Sequence, residues 1–280
     1  MSDTPAKYFT ISSSLQRPVN IHGLRKMKAE QKKSVCIALY DAPMASIAER
    51  AGIEMVLVGD SLGMTVLGYD NTIPVTMAQM IHHVEAVKRG NRRSLIIGDL
   101  PFMTYATPEQ AMVNAARIMQ AGAHMVKVEG GAWLAETIAL LSDRGVPVCA
   151  HLGLTPQSVH KLGGFRVQGR SKDQSDTLLK DAQLLAQAGA DLLVLECIPP
   201  NLAKAITGSI PIPTIGIGAG GDTDAQVLVI NDILGITERP PKFTKNFLRQ
   251  EEGVFAALQK YSNDVRAAVF PGEEHTLSGY

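Results

Sequence analysis

The chain has 280 residues, 45% of them apolar, and its 27 Lys+Arg balance 27 Asp+Glu to a formal charge of zero. That length suits one large α/β domain or two small ones and is enough for a sizeable core. Zero net charge and 5% aromatic residues argue against a nucleic-acid binder, which needs a basic surplus and stacking platforms.

Taken in chain order, residues 1–20 are polar and Ser-rich and are expected to form a loose arm. They carry no signal-peptide h-region, and no apolar run approaches the ~18 residues of a membrane span. Cys36, Cys149 and Cys197 each sit in an apolar run without a CxxC pairing, the pattern of buried thiols in a reducing compartment. The expectation is a cytoplasmic protein. Asn20–Lys33 reads as a basic helix that would close one end of the fold. Eight β-rich runs follow: 35–40, 54–61, 94–100, 125–130, 146–153, 191–197, 213–220 and 226–232. Most are near-continuous Val/Ile/Leu, as in parallel strands buried on both faces. Helical patterns separate them, at Met44–Ala51, Met77–Arg89, Glu109–Ala121, Trp133–Arg144 and Asp173–Ala188, each with a glycine next in sequence to supply a left-handed cap. Thr107 before Pro108 reads as an N-cap.

The runs recur at about 27 residues per unit, which suits a (β/α)8 TIM barrel over 1–280 with an N-terminal helical extension. A doubly wound open sheet is the runner-up. Only residues 221–225 separate the last two runs, too few for an ordinary crossover helix. After the fifth run, Thr155–Lys172 carries two adjacent glycines and little periodicity, the mark of a lid or a disordered loop. Phe243–Tyr261 reads as a final helix and 262–280 as a loose tail.

Polar residues gather at strand C-termini, the face where barrel active sites are built: Asp41, Asp60-Ser61, Asp99, Lys127 with Glu129, His151, Glu196 and Asp232. Four acids, Asp60, Asp99, Glu129 and Glu196, would converge on one rim. Such carboxylates repel and call for a cation, and an all-oxygen set suits Mg2+ before Zn2+. Each acid taken alone could equally cap a helix or pair with a surface cation. Lys127 and Glu129 share a strand face, a seat for an anionic substrate or a simple salt bridge. Glu196 ends an apolar run that would desolvate it, as suits a general base. His151 is a candidate site residue, with a satisfied core histidine an equal alternative. GIGAGG at 216–221 satisfies a dinucleotide fingerprint but precedes a strand, so that reading lacks its context. His82-His83 read as a solvated helix face.

The segments VGDSLGMTVLGYDNTIPVTMAQMIHH (58–83), GDLPF (98–102), VKVEGG (126–131), AHLGLTPQ (150–157), GGFRVQGR (163–170), LLVLECIP (192–199) and IGIGAG (215–220) resemble the ketopantoate hydroxymethyltransferase family, over about Val19 to Phe247. The resemblance implies a barrel enzyme assembled as a homodecamer. It implies hydroxymethyl transfer from 5,10-methylenetetrahydrofolate to 3-methyl-2-oxobutanoate, the first committed step towards pantothenate. It further implies Mg2+ ligation at Asp60, Asp99 and Glu129, ketoacid binding at Asp60, Ser61, Asp99 and Lys127, and proton abstraction by Glu196. Two other readings stand beside it. One is a Mg2+-dependent 2-oxoacid C–C lyase, disfavoured because such lyases use a loop cysteine and all three cysteines here fall inside strand runs. The other is a barrel kept as a non-catalytic binding module.

Overall fold

A computed structural model describes residues 17–277. Eight strands, β1 (Ser34–Ala38), β2 (Met55–Val58), β3 (Leu95–Asp99), β4 (Met125–Glu129), β5 (Val148–Gly153), β6 (Leu192–Glu196), β7 (Thr214–Ile217) and β8 (Ala225–Val229), form a closed barrel in chain order. Every neighbouring pair is parallel, and β8 returns to β1 with Cys36 opposite Val227. The TIM barrel read from the sequence is what the chain builds, and the open sheet is excluded. The strands are buried on both faces, which is why their sequence is continuous rather than alternating.

The helices are α1 (Ile21–Ala29), α2 (Ala42–Arg50), α3 (Leu62–Thr65), α4 (Met77–Gly90), α5 (Pro108–Gln120), α6 (Ala135–Asp143), α7 (Val159–Leu162), α8 (Lys172–Gln187), α9 (Pro200–Ser209), α10 (Ile230–Ile233) and α11 (Val254–Arg266). Two separate apolar clusters result. One lies between the barrel and its helices, with Val126, Val128, Ile96 and Ile118 among its members. The other fills the barrel, with Cys36, Met55, Ile97, Met125, Cys149 and Leu192, and Leu24 of α1 packs against it. The N-terminal helix therefore plugs the bottom of the barrel, as its position before β1 predicts. The period of two along β4 sends Met125, Lys127 and Glu129 inward while Val126 and Val128 face the helices.

Three expectations need correction. The final helix is not Phe243–Tyr261: residues after Phe243 form turns and a short 3-10 segment at Leu248–Gln250, and the helix begins at Val254. Its apolar face, with Leu258, Tyr261 and Val265 buried, runs past the expected end. The tail read as loose from 262 is accordingly helical to Arg266, and Phe270 is buried against Phe247 and Tyr261. Gly90 does not cap α4 but ends it, because a Cβ there would sit 2.0 Å from the Ala42 carbonyl oxygen of α2. Helix α9, bounded by Pro199-Pro200 before it and Pro211 after it, stands beyond the helices expected from the sequence. Gly52, Gly122, Gly145 and Gly189 do adopt the left-handed conformation expected of them. The short link between β7 and β8 holds no helix, and α11 covers the β1–β8 seam instead: the Tyr261 hydroxyl lies 2.9 Å from the Cys36 carbonyl oxygen and 3.1 Å from that of Gln226. Most of the 1–20 arm, residues 1–16, lies outside the described residues.

Candidate active site

Asp99 and Glu196 are the last residues of β3 and β6, Lys127 and Glu129 lie on β4, His151 lies on β5, and Asp60-Ser61 follow β2. All seven line one cavity of about 520 Å³ at the C-terminal mouth of the barrel. Strand register brings them level, with Asp99 opposite Lys127, Glu129 opposite His151, and Gly153 opposite Glu196. A Cβ at Gly153 would come within 2.2 Å of the Glu196 carbonyl oxygen, so only glycine lets β6 approach so closely there.

Asp60, Asp99 and Glu129 each offer an oxygen within 4.8 Å of the others. The Lys127 ammonium lies 2.8 Å from Asp99 Oδ2 and 3.2 Å from Glu129 Oε1. The ring of His151 lies between two acids, with Nδ1 3.3 Å from Glu129 Oε1 and Nε2 3.3 Å from Glu196 Oε2. These contacts are electrostatic, since neither nitrogen is aligned for a hydrogen bond. Burial and then the neighbouring acids push the Asp60 carboxyl well above its ordinary range, and burial raises Asp99 despite Lys127. Glu129 behaves oppositely. Burial works against its charge, but Lys127 and then His151 hold it down to about 2. His151 is held up to about 9, because the Glu129 carboxylate outweighs the burial of the ring. The uniform rise expected for gathered carboxylates thus splits: burial prevails at Asp60 and at Asp99, even with Lys127 beside it, while Lys127 and His151 together overcome it at Glu129. Glu196 is less withdrawn than its apolar stem suggests, since its side chain keeps 16% exposure.

The cluster fits a hard divalent cation on three counts. Its ligands are all carboxylate oxygens, which suits Mg2+ rather than Zn2+. Asp99 Oδ1 is buried without a hydrogen-bond partner. Burial, joined at Asp60 by the neighbouring acids, also holds Asp60 and Asp99 above the ordinary carboxylate range, a cost that a cation would offset.

The segment expected as a lid contributes what the sequence did not announce. Thr155–Lys172 opens with a 3-10 turn at Pro156–Ser158 and then α7. Gln157 is buried there: its Nε2 donates to Asp60 Oδ2 (2.8 Å) and to the Leu100 carbonyl (3.0 Å), and its backbone N–H donates to Glu129 Oε2 (3.1 Å). The Tyr105 hydroxyl donates to Gln157 Oε1 at 2.5 Å. Tyr40 and Ser61 share a 2.8 Å hydroxyl contact. Only the Thr-Pro step before Gln157, a helix-start signal, marked that turn beforehand. Asp41, one of the polar residues noted at strand C-termini, caps α2 by accepting from Met44 N–H at 2.8 Å. His82 is on a solvated face as expected, whereas His83 is half-buried, its Nδ1 2.8 Å from the Tyr40 carbonyl. Cys197 lies just beyond β6 rather than inside a strand, buried at the cavity wall with φ of 47°.

A closed parallel barrel whose C-terminal mouth gathers carboxylates around a lysine has the layout of an α/β barrel enzyme, with its polar groups on the face where such active sites are built. A solved structure described as phosphonopyruvate hydrolase in complex with oxalate and Mg2+ shares the fold, with a TM-score of 0.59 at 14% identity, covering 78% of this chain and 84% of that one. The family profile described as ketopantoate hydroxymethyltransferase matches residues 18–273, and the chain belongs to that family. Relatives named 3-methyl-2-oxobutanoate hydroxymethyltransferase include one from Saccharophagus degradans, 66% identical over 94% of this chain and 97% of its own length. Another, from Marinomonas sp., is 55% identical over 93% of this chain and 95% of its own length. The chain is a transferase of this kind.

Proposed function

We propose that the chain transfers a hydroxymethyl group from 5,10-methylenetetrahydrofolate to 3-methyl-2-oxobutanoate, yielding 2-dehydropantoate and tetrahydrofolate, with Mg2+ held by Asp60, Asp99 and Glu129. The observation that carries this reading is the buried trio of acids beside Lys127, set in one cavity with Glu196. Mg2+, when bound, supplies a Lewis acid that spreads the charge left on the ketoacid by proton loss. Lys127 and Ser61 hold the ketoacid, and the Lys127 ammonium offsets its carboxylate. Glu196 takes the C3 proton, and the His151 ring beside its Oε2 orients the carboxylate. The freed C3 electron pair forms the bond to the methylene carbon of the folate, both bonds from that carbon to N5 and N10 break, water supplies the hydroxyl group, and the two nitrogens take the proton removed from C3 and the second proton of the water.

The C–C lyase alternative has fold likeness on its side, and Cys197 does stand just beyond β6 at the cavity wall, but burial and Glu196 drive its thiol up and make it a reluctant proton donor. A non-catalytic barrel leaves the Lys127–carboxylate cluster without a purpose that would offset its burial. The exposed apolar side chains of Val113, Trp133 and Val269 support a homo-oligomer, with a decamer the form implied by resemblance. Three buried free thiols support a cytoplasmic location. Among the described residues no helix is long and apolar enough to cross a membrane.

The test is exchange of the C3 proton of 3-methyl-2-oxobutanoate with deuterated solvent, with and without Mg2+. Glu196→Gln is expected to slow it by about 10²–10⁴-fold, the usual weight of a general base, while Mg2+ binding persists. Normal exchange in that variant would sink the base assignment, and exchange indifferent to Mg2+ would remove the metal.

A further inference from the structure

The cavity is larger than a five-carbon ketoacid and a metal ion require, and lies within the size range of pockets that take much larger ligands. The wall away from the acid trio is built from other segments: Ile217 at the end of β7, Val229 at the end of β8, and Phe243 and Leu277 from the C-terminal region. Beside these apolar side chains stand Thr237 and one buried acid, Asp232 on α10, directly after β8. Asp232 belongs neither to the metal trio nor to any ion pair among the described residues. Its Oδ1 accepts the Thr237 hydroxyl at 2.6 Å, which fixes the carboxylate, and Oδ2 has no hydrogen-bond partner among the described residues. At the outer rim stand three exposed cations, Arg166, Arg239 and Lys242.

We propose that this half of the mouth is a pterin-recognition subsite, in which the Asp232 carboxylate receives the adjacent 2-amino and N3–H donors of a 2-amino-4-oxopteridine while the rim cations take the carboxylates of its glutamate tail. The inference rests on the reading of the co-substrate as a reduced folate. Two parallel N–H donors match the two oxygens of a carboxylate, as a guanidinium does. A fixed, buried carboxylate without a cation is costly unless donors reach it, and the pterin edge provides them without adding a competing positive charge beside the metal. Phe243 offers an aromatic face and Ile217 and Val229 an apolar one for the bicyclic ring. Strands β6 and β8 are two inter-strand steps apart, about 10 Å. A ring anchored at Asp232 therefore spans towards Glu196, where the methylene carbon has to meet C3 of the ketoacid. Burial raises the Asp232 carboxyl above its ordinary range, which agrees with an acid whose partner is a ligand.

The test is titration calorimetry of the full chain with three probes: tetrahydrofolate, 6-hydroxymethylpterin, which has the ring without the tail, and 4-aminobenzoyl-glutamate, which has the tail without the ring. Asp232→Asn replaces an acceptor by a donor and is expected to weaken tetrahydrofolate and the pterin by about tenfold or more, the effect of losing a charged hydrogen bond, and to leave 4-aminobenzoyl-glutamate unaffected. The double variant Arg239→Gln, Lys242→Gln should weaken the tail probe and not the pterin. Thr237→Val, which frees the carboxylate without removing it, should weaken the pterin by a smaller factor and serves if Asp232→Asn fails to fold. Wild-type affinity for the pterin in the Asp232 variant, or in Thr237→Val where it stands in, overturns the subsite. Loss of all three probes equally assigns Asp232 to general architecture and overturns it too. Exchange of the ketoacid C3 proton by the wild-type protein is read separately: its absence counts against the transferase reading, while folate binding through Asp232 stands or falls on the titrations.

Discussion

At Gln157 a side-chain amide and the backbone N–H of the same residue hold two of the three clustered carboxylates. Replacing it by Leu keeps the volume and removes three side-chain contacts, leaving Asp60 Oδ2 and the Tyr105 hydroxyl without this partner. Groups that orient metal ligands typically contribute 10–100-fold in affinity. Gln157→Leu is therefore expected to weaken Mg2+ binding by about tenfold or more, read by calorimetric titration; unchanged affinity would show that the carboxylates hold their places unaided. Asp232 gives a stability prediction with a definite sign. Its folded-state carboxyl is raised by burial, so the folded protein binds a proton more readily than the unfolded chain. The associated stability is present below the ordinary Asp value of about 3.9 and is lost as pH rises through the folded value. Asp232→Asn is thus expected to raise the melting temperature relative to wild type at pH 7 and to lose that advantage near pH 3.5. Equal melting points at both pH values would contradict it. A residue whose removal stabilises the fold is one retained for function.

Among the elements, the segment from Thr155 to Lys172 joins two roles. Its first turn carries Gln157 into the metal cluster, and its second half brings Phe165, Arg166 and Val167 to the mouth. Between them Gly163 and Gly164 take left-handed conformations at φ of 71° and 113° with open space around them. A side chain at Gly163 meets no steric obstacle and strains only the backbone, by about 1–2 kcal/mol. If the segment excludes water during turnover, Gly163→Ala should lower kcat and leave Mg2+ affinity intact. Unaltered kinetics would relegate it to a fixed wall. Two helices earlier in the chain start where their sequences direct. Thr76 and Gln79 form a reciprocal capping box that starts α4, and Thr107 caps α5 through the Gln110 N–H, both local devices that need no tertiary partner.

Across the whole molecule the barrel has one seam without an ordinary crossover helix, between β7 and β8, and one closing pair, β8 with β1. Helix α11 spans that closure through Tyr261, whose hydroxyl meets carbonyls of both strands and whose ring packs with Phe247 and Phe270. Tyr261→Phe keeps the aromatic packing and withdraws the donor from buried carbonyls. It is expected to cost about 1–3 kcal/mol, measured by denaturant unfolding. A loss below about 0.5 kcal/mol, the range of ordinary surface changes, would mean that the seam is held by packing alone.

Much of this architecture was legible in the sequence because its causes are local or periodic. Burial on both faces writes continuous Val/Ile/Leu runs such as those of β3 and β6, and left-handed glycines such as Gly122 and Gly189 mark where helices stop. The acids at the ends of β2, β3, β4 and β6 were legible too, because a parallel barrel delivers every strand's C-terminus to one face. The start of helix α11 differs from the expected one because Phe243, Phe247 and Leu248 extend its apolar pattern backwards, with Phe247 buried against Tyr261 although its backbone is not helical. Tertiary structure alone decided the partners. Gln157 meets Asp60 across 97 residues, and Tyr261 meets Cys36 across 225. Contacts at such separations leave no spacing to read. The charges at the site follow the same rule: Glu129 is held down to about 2 while Asp60 is pushed up. Their sequences predict identical carboxylates, and only the folded neighbourhood, with Lys127 and His151 against one and acids against the other, makes them different.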